Sequence, residues 1–428
     1  MNYQLTIDKI NNREYNDTFR VLYGADEKEL YRQRRRYVRA IEKFTEYFPP
    51  REDIRLFSAP GRTEIGGNHT DHQRGCALAA AVNLDVIAVV SFHEEGVIRF
   101  QSEGYEMIEV TLSDLDAREG EKGSSAALIR GIAAYFENKG VHIGGFDAYS
   151  VSDVLSGSGL SSSAAFETLV GTIIDVACNE RRAGEVEIAR IGQYAENFYF
   201  GKGSGLLDQT VCSVGGFVFI DFKDEKDPKV EKHQFDFERA GYSLCVTDTK
   251  GSHSDLTDDY VAVPEEMKSV ARFFGKSALR EVNQEEFFQS IPKIKGVCSD
   301  RAILRAIHFF RENERACAET QALEHMDPDR FFKEFKASAQ SSAFLLQNLY
   351  STKKPTEQGI PLGIAVSRLT LGEDAAVRVH GGGFAGTIQA FVPVKKTAEY
   401  KAKMDALFGE NSCYVLRIRP VGGVEITV

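Results

Sequence analysis

Three glycine-rich stretches lie far apart in the chain, at residues 58–71, 157–165 and 380–386. The middle stretch, Gly-Ser-Gly-Leu-Ser-Ser-Ser-Ala-Ala, constrains the fold most, because it runs directly into residues 166–176, whose apolar side chains recur at helical spacing. A glycine- and serine-rich loop that opens a helix presents unpaired N–H groups and the positive end of the helix dipole. The sequence therefore predicts a phosphate-binding loop. Ordinary capping of the helix by serine is the alternative that stays open at this point.

Length and composition limit the class of protein. The 428 residues exceed what one hydrophobic core usually supports, so two domains are expected. A net charge of −11 argues against a nucleic-acid partner, which requires a basic surface. The seven cysteines include no Cys-x-x-Cys pair, which favours reduced thiols over a disulfide framework. Because no basic leader segment is present and the apolar runs are shorter than a membrane span, we expect a cytoplasmic protein with no membrane partner.

Segments typical of helices and strands are grouped rather than strictly alternating, which predicts an α+β fold. The pattern of residues 1–50 predicts helical structure with many charged side chains. The arginine-rich run 32–36 is interpreted as a solvated helix face. The polar segment 223–229 is predicted to be a domain boundary or an exposed hairpin. Strands are predicted at 54–58, 84–92, 97–101, 107–112, 146–151, 216–222, 243–248, 375–380, 387–393, 413–419 and 424–428. Helices are predicted near 124–138, 161–178, 184–199, 262–274, 300–324 and 329–350.

Two segments resemble common nucleotide-binding motifs without fulfilling them. The segment Gly275-Lys276-Ser277 resembles the end of a Walker A motif, yet Val270 stands where its first glycine should be. The stretch 381–386 matches the letters of the dinucleotide fingerprint, but residues 387–392 predict a strand where the fingerprint requires a helix. What the pattern predicts at 381–386 is a glycine turn between two strands.

Two acidic residues flank the glycine-rich segment 203–205. Glu196 is predicted to lie on a helix, and Asp208 follows the glycines, so both side chains could share one site. One carboxylate would then hold Mg²⁺ and the other would face a hydroxyl nucleophile, whereas two unrelated surface carboxylates are the alternative. A zinc site at His69 and His72 is not expected, because no third ligand lies nearby. Polar side chains there suit a polyhydroxylated ligand better.

Taken together and in this order, these motifs resemble those of the GHMP small-molecule kinases, and specifically the galactokinases. Residues 61–71 resemble the signature Gly-Arg-x-Asn-Leu-Ile-Gly-Glu-His-Thr-Asp, and residues 157–165 resemble the phosphate loop Gly-Leu-Ser-Ser-Ser-Ala. Residues 205–209 are similar to Gly-Ile-Met-Asp-Gln, and residues 381–386 are similar to Gly-Gly-Gly-Phe-Gly-Gly.

Secondary matches extend the resemblance over roughly residues 55–395. His253 and Ser254, followed by Tyr260, are similar to the family's His-Ser…Tyr segment. Residues 305–315 are similar to its helix Arg-Ala-x-His-x-x-x-Glu-Asn-x-Arg. The resemblance implies two domains, 1–230 like domain 2 of ribosomal protein S5 and 231–428 ferredoxin-like, with ATP bound between them. The final strands can return to the first sheet, so the cut near 230 is approximate.

The resemblance also implies a reaction, the ATP-dependent phosphorylation of galactose at its anomeric hydroxyl. Asp208 would accept the hydroxyl proton, Arg62 would orient Asp208 and keep it ionised, and Glu196 and Ser163 would coordinate Mg²⁺. The residues implied to contact the sugar are Asn68, His69, Asp71, Gly205 and Tyr260. The residues implied to bind ATP are Gly157, Ser158, Gly159, Leu160, Ser161, Ser162, Ser163, Ala164, Gly382 and Gly383.

The chain departs from the family pattern in the signature. Asn68 stands in place of a glutamate that contacts the sugar near C6, Glu64 in place of an asparagine, and His72 in place of a tyrosine. A neutral amide at position 68 would ease repulsion of a C6 carboxylate, as in galacturonic acid. No new arginine appears in this stretch to bind such a carboxylate, so galactose is preferred.

Other functions stay open from the sequence alone. They are a 1-kinase for a related sugar such as galacturonic acid, and a catalytically silent sugar sensor of the same fold. A mevalonate or homoserine kinase is disfavoured, because residues 69–71 and Tyr260 match the sugar-binding branch. We expect a monomer or a weak homodimer.

Overall fold

The computed structural model describes residues 2–49, 53–154, 159–252 and 256–428. Four residues quoted above, Gly157, Ser158, His253 and Ser254, lie outside this described part. The helices are α1 Tyr3–Asn11, α2 Asn16–Tyr23, α3 Glu27–Tyr47, α4 Ser125–Asn138, α5 Ser162–Cys178, α6 Glu185–Ala195, α7 Leu207–Val214, α8 Thr257–Phe273, α9 Gln284–Ile294, α10 Asp300–Glu324, α11 Pro328–Ser341, α12 Gly359–Leu371 and α13 Thr397–Phe408. The strands are β1 Arg55–Gly66, β2 Cys76–Phe92, β3 Val97–Ser102, β4 Ile108–Thr111, β5 Phe146–Ser152, β6 Phe217–Asp221, β7 Lys229–His233, β8 Tyr242–Asp248, β9 Ala376–His380, β10 Thr387–Pro393, β11 Cys413–Leu416 and β12 Val424–Ile426.

The first sheet has the strand order β12-β1-β2-β5-β3-β4, with β6 paired to β2 and β7 to β6. The long strand β2 is its centre: one half pairs with β5 and the other with β6, while β1 runs along the opposite edge. Among the described residues β3 and β5 form the one parallel strand pair, and the connection between them contains β4 and α4. Helix α5, which follows the phosphate-loop stretch, buries Leu169, Val170 and Ile173 in the core on one face of this sheet.

The other face of the first sheet is covered by α1, α2 and α3. Phe19, Tyr37 and Phe44 of these helices belong to one buried cluster with Leu56 of β1 and Val89 of β2. The prediction of a solvated arginine face on α3 is wrong for part of the run, because Arg34 and Arg36 are only 7% and 9% exposed. Residues three and four apart share a helix face, so Arg34 lies on the face of the buried Tyr37 and Arg36 on the face of the buried Ala40.

The second sheet has the strand order β11-β8-β10-β9 and is antiparallel throughout. Helices α12 and α13 cover one face, where Ile360, Tyr400 and Met404 pack on Val379. Helix α11 covers the other face through Phe331 and Phe335, whose rings contact Phe391 of β10. The glycine turn, residues 381–386, connects β9 to β10, as the sequence predicts.

Several elements differ from their predicted bounds. The first half of the signature, residues 60–66, is the end of β1 rather than a loop, and β2 begins at Cys76. The polar segment 223–229 connects β6 to β7 as a hairpin. Strand β12 pairs with β1, so the chain returns to the first sheet after it has built the second. The cut near 230 stays a prediction. Nowhere in the described residues is a helix long and apolar enough to cross a membrane.

Candidate active site

Arg62 and Asp208 form a two-pronged ion pair between β1 and the first turn of α7. Arg62 Nε donates to Asp208 Oδ1 at 2.7 Å, and Nη2 donates to Oδ2 at 2.6 Å. The third guanidinium nitrogen, Nη1, donates to the carbonyl of Gly159 at 2.6 Å. The pairing of β1 with β2 shifts register between Pro60 and Arg62, which marks a bulge where this side chain leaves the strand. A planar fork of this kind fixes the carboxylate in position as well as in charge.

The loop before α5 contacts the same carboxylate. Ser161 adopts the left-handed backbone conformation, with φ of 56°, and its hydroxyl donates to Asp208 Oδ2. Leu160 is buried, and its carbonyl accepts from the backbone N–H of Arg62 at 3.0 Å. Ser162 and Ser163 begin α5, so their backbone N–H groups belong to the end of the helix that favours anions. The described part of the phosphate-loop stretch therefore lies directly beside Asp208.

The surroundings of Asp208 keep its carboxyl group ionised. Burial is the largest influence and raises the pKa, but the charge of Arg62 and the hydrogen bonds from Arg62 and Ser161 outweigh it. The net result is a pKa below the ordinary value of 3.8. Asp208 is 34% exposed, so the ionised carboxylate is accessible to a ligand.

A cavity of about 130 Å³ opens beside this pair. Five of the predicted site residues line it: Asp71, Ser163, Glu196, Gly205 and Asp208. Glu196 is 2% exposed, and its carboxylate accepts from Lys202 Nζ at 3.1 Å and from Gln209 Nε2 at 2.8 Å. The structure thus brings the two acidic residues of the sequence prediction to one cavity.

The oxygen atoms of this cavity fit a magnesium ion that also binds phosphate. The carboxylate of Glu196 and the hydroxyl of Ser163 are hard oxygen donors, and both residues line this cavity. Within the described residues there is no cluster of three or more His, Cys, Asp or Glu side chains that could hold a metal by itself. Mg²⁺ commonly binds through one or two protein oxygens together with phosphate oxygens and water, so this small donor set suffices.

A second carboxyl group lies behind Glu196. Glu167 of α5 is fully buried, and Gln209 donates to it at 3.1 Å while also donating to Glu196. Burial and the neighbouring charge of Glu196 raise the pKa of Glu167 well above its usual range. The surroundings of Glu167 therefore favour its protonated form over its ionised form.

The signature loop, which we define as residues 67–71, lies between the cavity and the glycine turn. His69 has a positive φ of 58°, and its Nε2 lies 2.8 Å from the carbonyl of Gly382. A carbonyl only accepts, so this nitrogen carries the proton. Burial lowers the pKa of His69 to about 4, which leaves the ring neutral. Asp71 lines the cavity beside Gly205.

Asn68 is fully buried, and its amide group is occupied by other parts of the protein. Its Nδ2 donates to Glu64 Oε1 at 2.8 Å and to the carbonyl of Gly381 at 2.7 Å. Its Oδ1 accepts from Asn348 Nδ2 at 2.9 Å and from the Ser342 hydroxyl at 3.4 Å. Every polar atom of this amide therefore has a partner within the chain, and the sugar contact predicted for Asn68 stays a prediction.

The glycine turn faces the predicted sugar residues. The carbonyl of Gly382 accepts from His69, and that of Gly383 accepts from the Tyr260 hydroxyl at 2.7 Å. Gly383 has a φ of +79°, and a Cβ atom there would overlap Asn348, so only glycine fits this close approach. The nucleotide contact predicted for Gly382 and Gly383 stays a prediction, since the carbonyl of Gly382 accepts from His69 and that of Gly383 from Tyr260 of α8.

Helix α10 holds the backbone of the signature loop. His308 Nε2 donates to the carbonyl of Asn68 at 2.9 Å. The carboxylate of Glu312 accepts from the backbone N–H groups of Gly67 and Asn68, at 3.3 and 3.4 Å, and pairs with Arg315 at 2.7 Å. The nearby positive charges outweigh the cost of burial and lower the pKa of Glu312 to about 2. An ionised carboxylate of the second half thus fixes a loop of the first.

Strand β9 contributes a second contact between the halves. Arg378 is fully buried, and its Nη2 donates to Glu64 Oε1 at 2.9 Å. Its Nη1 donates to the carbonyl of Ile65 at 2.6 Å and to the Ser338 hydroxyl at 3.0 Å. The carboxylate that replaces the family asparagine at position 64 therefore has its own counter-ion. This arginine lies more than 300 positions away in the chain, far from the signature of residues 61–71.

Sequence reasoning missed three groups at the site. Lys202 lies between two glycines within the 196–209 segment, and that position beside a predicted loop was the available signal. Arg378 occurs in a strand with no exposed position, where a charged residue indicates a buried ion pair. Glu167 gives no such signal, because a glutamate within a helix is ordinary.

Comparison with known proteins places the chain in a family. Residues 42–92 match the galactokinase galactose-binding signature, and residues 123–216 match the N terminal domain of GHMP kinases. A galactokinase of Actinobacillus pleuropneumoniae is 30% identical over 360 residues, which cover 83% of this chain and 89% of that protein. The chain belongs to the galactokinase family.

Further comparisons of this galactokinase-family protein agree with that assignment. A galactokinase of Streptomyces coelicolor is 28% identical and covers 81% of this chain and 86% of its own length. The crystal structure of Lactococcus lactis galactokinase complexed with galactose has a TM-score of 0.74 at 22% identity, and covers 90% of this chain and 98% of its own. A mevalonate kinase structure has a TM-score of 0.56 at 14% identity, with coverage of 85% and 98%. These two structures show the fold, and the predicted α+β GHMP kinase fold is confirmed. The prediction of an ATP-using kinase is confirmed with the family.

Proposed function

We propose that the protein transfers the γ-phosphoryl group of ATP to the anomeric hydroxyl of galactose, giving galactose 1-phosphate and ADP. The observation that carries the proposal is the Arg62–Asp208 pair, with bonds of 2.7 and 2.6 Å, beside a cavity that Ser163 and Glu196 also line. Phosphoryl transfer needs positioning and charge stabilisation more than covalent chemistry from the protein, and these residues can supply both.

Asp208 is the proposed proton acceptor. As the anomeric oxygen bonds to the γ-phosphorus, the O–H bond breaks and its proton passes to the Asp208 carboxylate, while the bond to the β-phosphate oxygen breaks and ADP leaves. Arg62 keeps the carboxylate ionised, since its charge and hydrogen bonds lower the pKa of Asp208 against the effect of burial. Arg62 also places positive charge next to the phosphoryl group in transfer.

Ser163 and Glu196 would hold Mg²⁺, which neutralises phosphate charge when it is bound. Glu196 is kept in place by Lys202 and Gln209, at 3.1 and 2.8 Å. Gly159 to Ala164 are proposed to contact the phosphates through backbone N–H groups at the start of α5. His69, Asp71 and Tyr260 are proposed to bind the sugar hydroxyls. A glutamine in place of Glu196 should raise the Mg²⁺ concentration needed for half-maximal rate, while the KM for galactose stays unchanged.

The structure favours galactose over galacturonic acid as the acceptor. A C6 carboxylate would need a free cation, yet the Arg378 guanidinium is fully buried and donates to Glu64, to Ser338 and to backbone carbonyls. Asn68 is likewise saturated. The relatives compared above are galactokinases, which points to the same sugar.

The proposal is tested by a coupled ADP-release assay with MgATP. Galactose, galacturonic acid, N-acetylgalactosamine, arabinose and glucose are the acceptors, and Asp208→Asn is compared with Asp114→Asn, an exposed carboxylate on the surface. We expect turnover of galactose, a kcat about 10³-fold lower in Asp208→Asn and an unchanged rate in the control. Sugar binding without turnover of any acceptor would contradict the proposal and favour a sensor. A cytoplasmic location and a monomer or weak homodimer stay predictions.

A further inference from the structure

The arginine-rich run of α3 is not used by the proposed chemistry, yet it contacts the strand that precedes the phosphate-loop stretch. Arg32 Nη1 donates to Asp153 Oδ2 at 2.8 Å, and Arg36 Nη1 lies 3.2 Å from the same oxygen. Arg36 Nη2 donates to the carbonyl of Val151 at 3.0 Å. We call Arg32, Arg36 and Asp153 the arginine clamp. Asp153 directly follows β5.

The arginine clamp is fixed on its inner side by a buried charge. Arg36 pairs with Asp85 at 2.6 Å, and Asp85 also pairs with Arg419 at 3.1 Å; both partners lie in the interior. The backbone N–H of Asp153 donates to the carbonyl of Asp85 at 2.9 Å. Asp85 is the β2 partner of Pro60, two residues before Arg62. The arginine clamp therefore contacts the residue of β2 that pairs with β1 two positions before Arg62.

Through Val154, the arginine clamp is also connected to the proposed phosphate site. Val154 follows Asp153 and is held by the Ser152 hydroxyl through its own N–H and carbonyl, at 3.1 and 3.0 Å. A side chain at Gly61 would meet both Val154 and the carbonyl of Leu160, so these three residues pack closely. The contacts form a continuous path from α3 through Asp153 to the residues around Ser161.

We propose that Arg32, Arg36 and Asp153 are positioning residues that place Leu160 and Ser161 for the nucleotide, so that the helical layer of residues 3–47 tunes ATP binding. The role rests on the proposed function for its nucleotide. The sugar side is held separately by Glu312 and His308 of α10. The clamp is therefore expected to change nucleotide affinity and to leave sugar affinity alone.

The test uses variants that act on the partly exposed end of the clamp. Asp153 is 22% exposed, so Asp153→Asn and Arg32→Met are expected to fold, whereas loss of Arg36 would leave Asp85 with less of its counter-charge. Lys43→Met, on the same helix and paired with Glu46 at the surface, is the matched control. Calorimetry with the magnesium complex of adenylyl imidodiphosphate gives the nucleotide Kd without any turnover. The KM values for ATP and galactose and the melting temperature are measured alongside.

We expect Asp153→Asn to raise the nucleotide Kd about fivefold and Arg32→Met to raise it about threefold, with the KM for galactose changed by less than about twofold. The double variant should match Asp153→Asn alone, because Arg32 acts through Asp153. Arg32→Lys should restore part of the affinity. Equal rises in both KM values, or an unchanged Kd in Asp153→Asn, would overturn the clamp. If the wild type binds nucleotide but phosphorylates no sugar, the proposed function fails while the Kd series still decides the clamp.

Discussion

Glu312 on α10 offers the sharpest test of how the two halves of the protein hold the signature loop. Its carboxylate accepts from the backbone of Gly67 and Asn68, and from the Ser338 hydroxyl at 2.5 Å. Arg315 supplies the main counter-charge. Glutamine at this position would lose the charge and place an NH₂ group among donors, so we expect Glu312→Gln to destabilise the protein.

The size of the effect follows from the pKa of Glu312. Its fall from an ordinary 4.5 to about 2 corresponds to about 3 kcal/mol of stability at neutral pH, at about 1.4 kcal/mol for each pH unit. A carboxyl group whose pKa is lowered on folding stabilises the fold above its unfolded pKa, and the contribution is lost as the pH falls from 4.5 through 2. The difference in unfolding free energy between wild type and variant should therefore shrink to about half at pH 3.

Urea unfolding at pH 7 and pH 3 measures both values. The chain has no tryptophan, so far-ultraviolet circular dichroism is the suitable signal. Glu314→Gln, an exposed glutamate on the same helix, is the control and should differ from wild type by less than about 0.5 kcal/mol. A Glu312→Gln deficit that is the same at both pH values, or no larger than that of the control, would refute the assignment of the stabilisation to the ionised carboxylate. The same variant should raise the KM for galactose more than that for ATP.

Two further substitutions test the site and its support. Arg62→Met removes the charge that opposes the effect of burial, so the pKa of Asp208 should rise. The acid limb of the pH profile of kcat/KM should therefore move to higher pH. In the same variant kcat should fall about 10²–10³-fold. An acid limb that does not move would mean that Asp208 is not the group that titrates. Arg378→Met leaves Glu64 without its counter-ion inside the protein and should cost about 3–5 kcal/mol in a melting or urea experiment. Adding Glu64→Gln to Arg378→Met should recover part of that loss, and additive losses would contradict the pairing.

The part of the site that lies on neighbouring segments could be predicted from the sequence. Glu196, Gly205 and Asp208 fall within one short segment that runs from the end of α6 into α7, and that segment brings them to one cavity with Ser163. The glycine turn could also be predicted, because the residues on either side of it alternate like strands. In both cases the signal is local, so spacing and residue type suffice.

The contacts between distant segments could not be predicted. His308 lies 240 positions from Asn68, and Arg378 lies 314 positions from Glu64, so no spacing rule relates these residues. The first half of β2 was missed for another reason. Residues 76–83 are rich in alanine, which has low strand propensity, and the segment is a strand because β1 and β6 pair with it on both sides. Tertiary pairing decides such elements.

The return of β12 to β1 has a consequence for biosynthesis. Asp85 lies in the interior opposite Arg419, which is made 334 residues later, and the edge of β1 is not covered until β12 has left the ribosome. At a translation rate of about 5–20 residues per second, roughly 20–70 s pass before β12 and Arg419 are made. Until then the edge of β1 is unpaired and the Asp85 carboxylate lacks Arg419 as a partner. During this interval the unpaired edge of β1 is open to pairing with other chains. A fragment of residues 1–230 would lack β12 and Arg419, so the edge of β1 would stay unpaired.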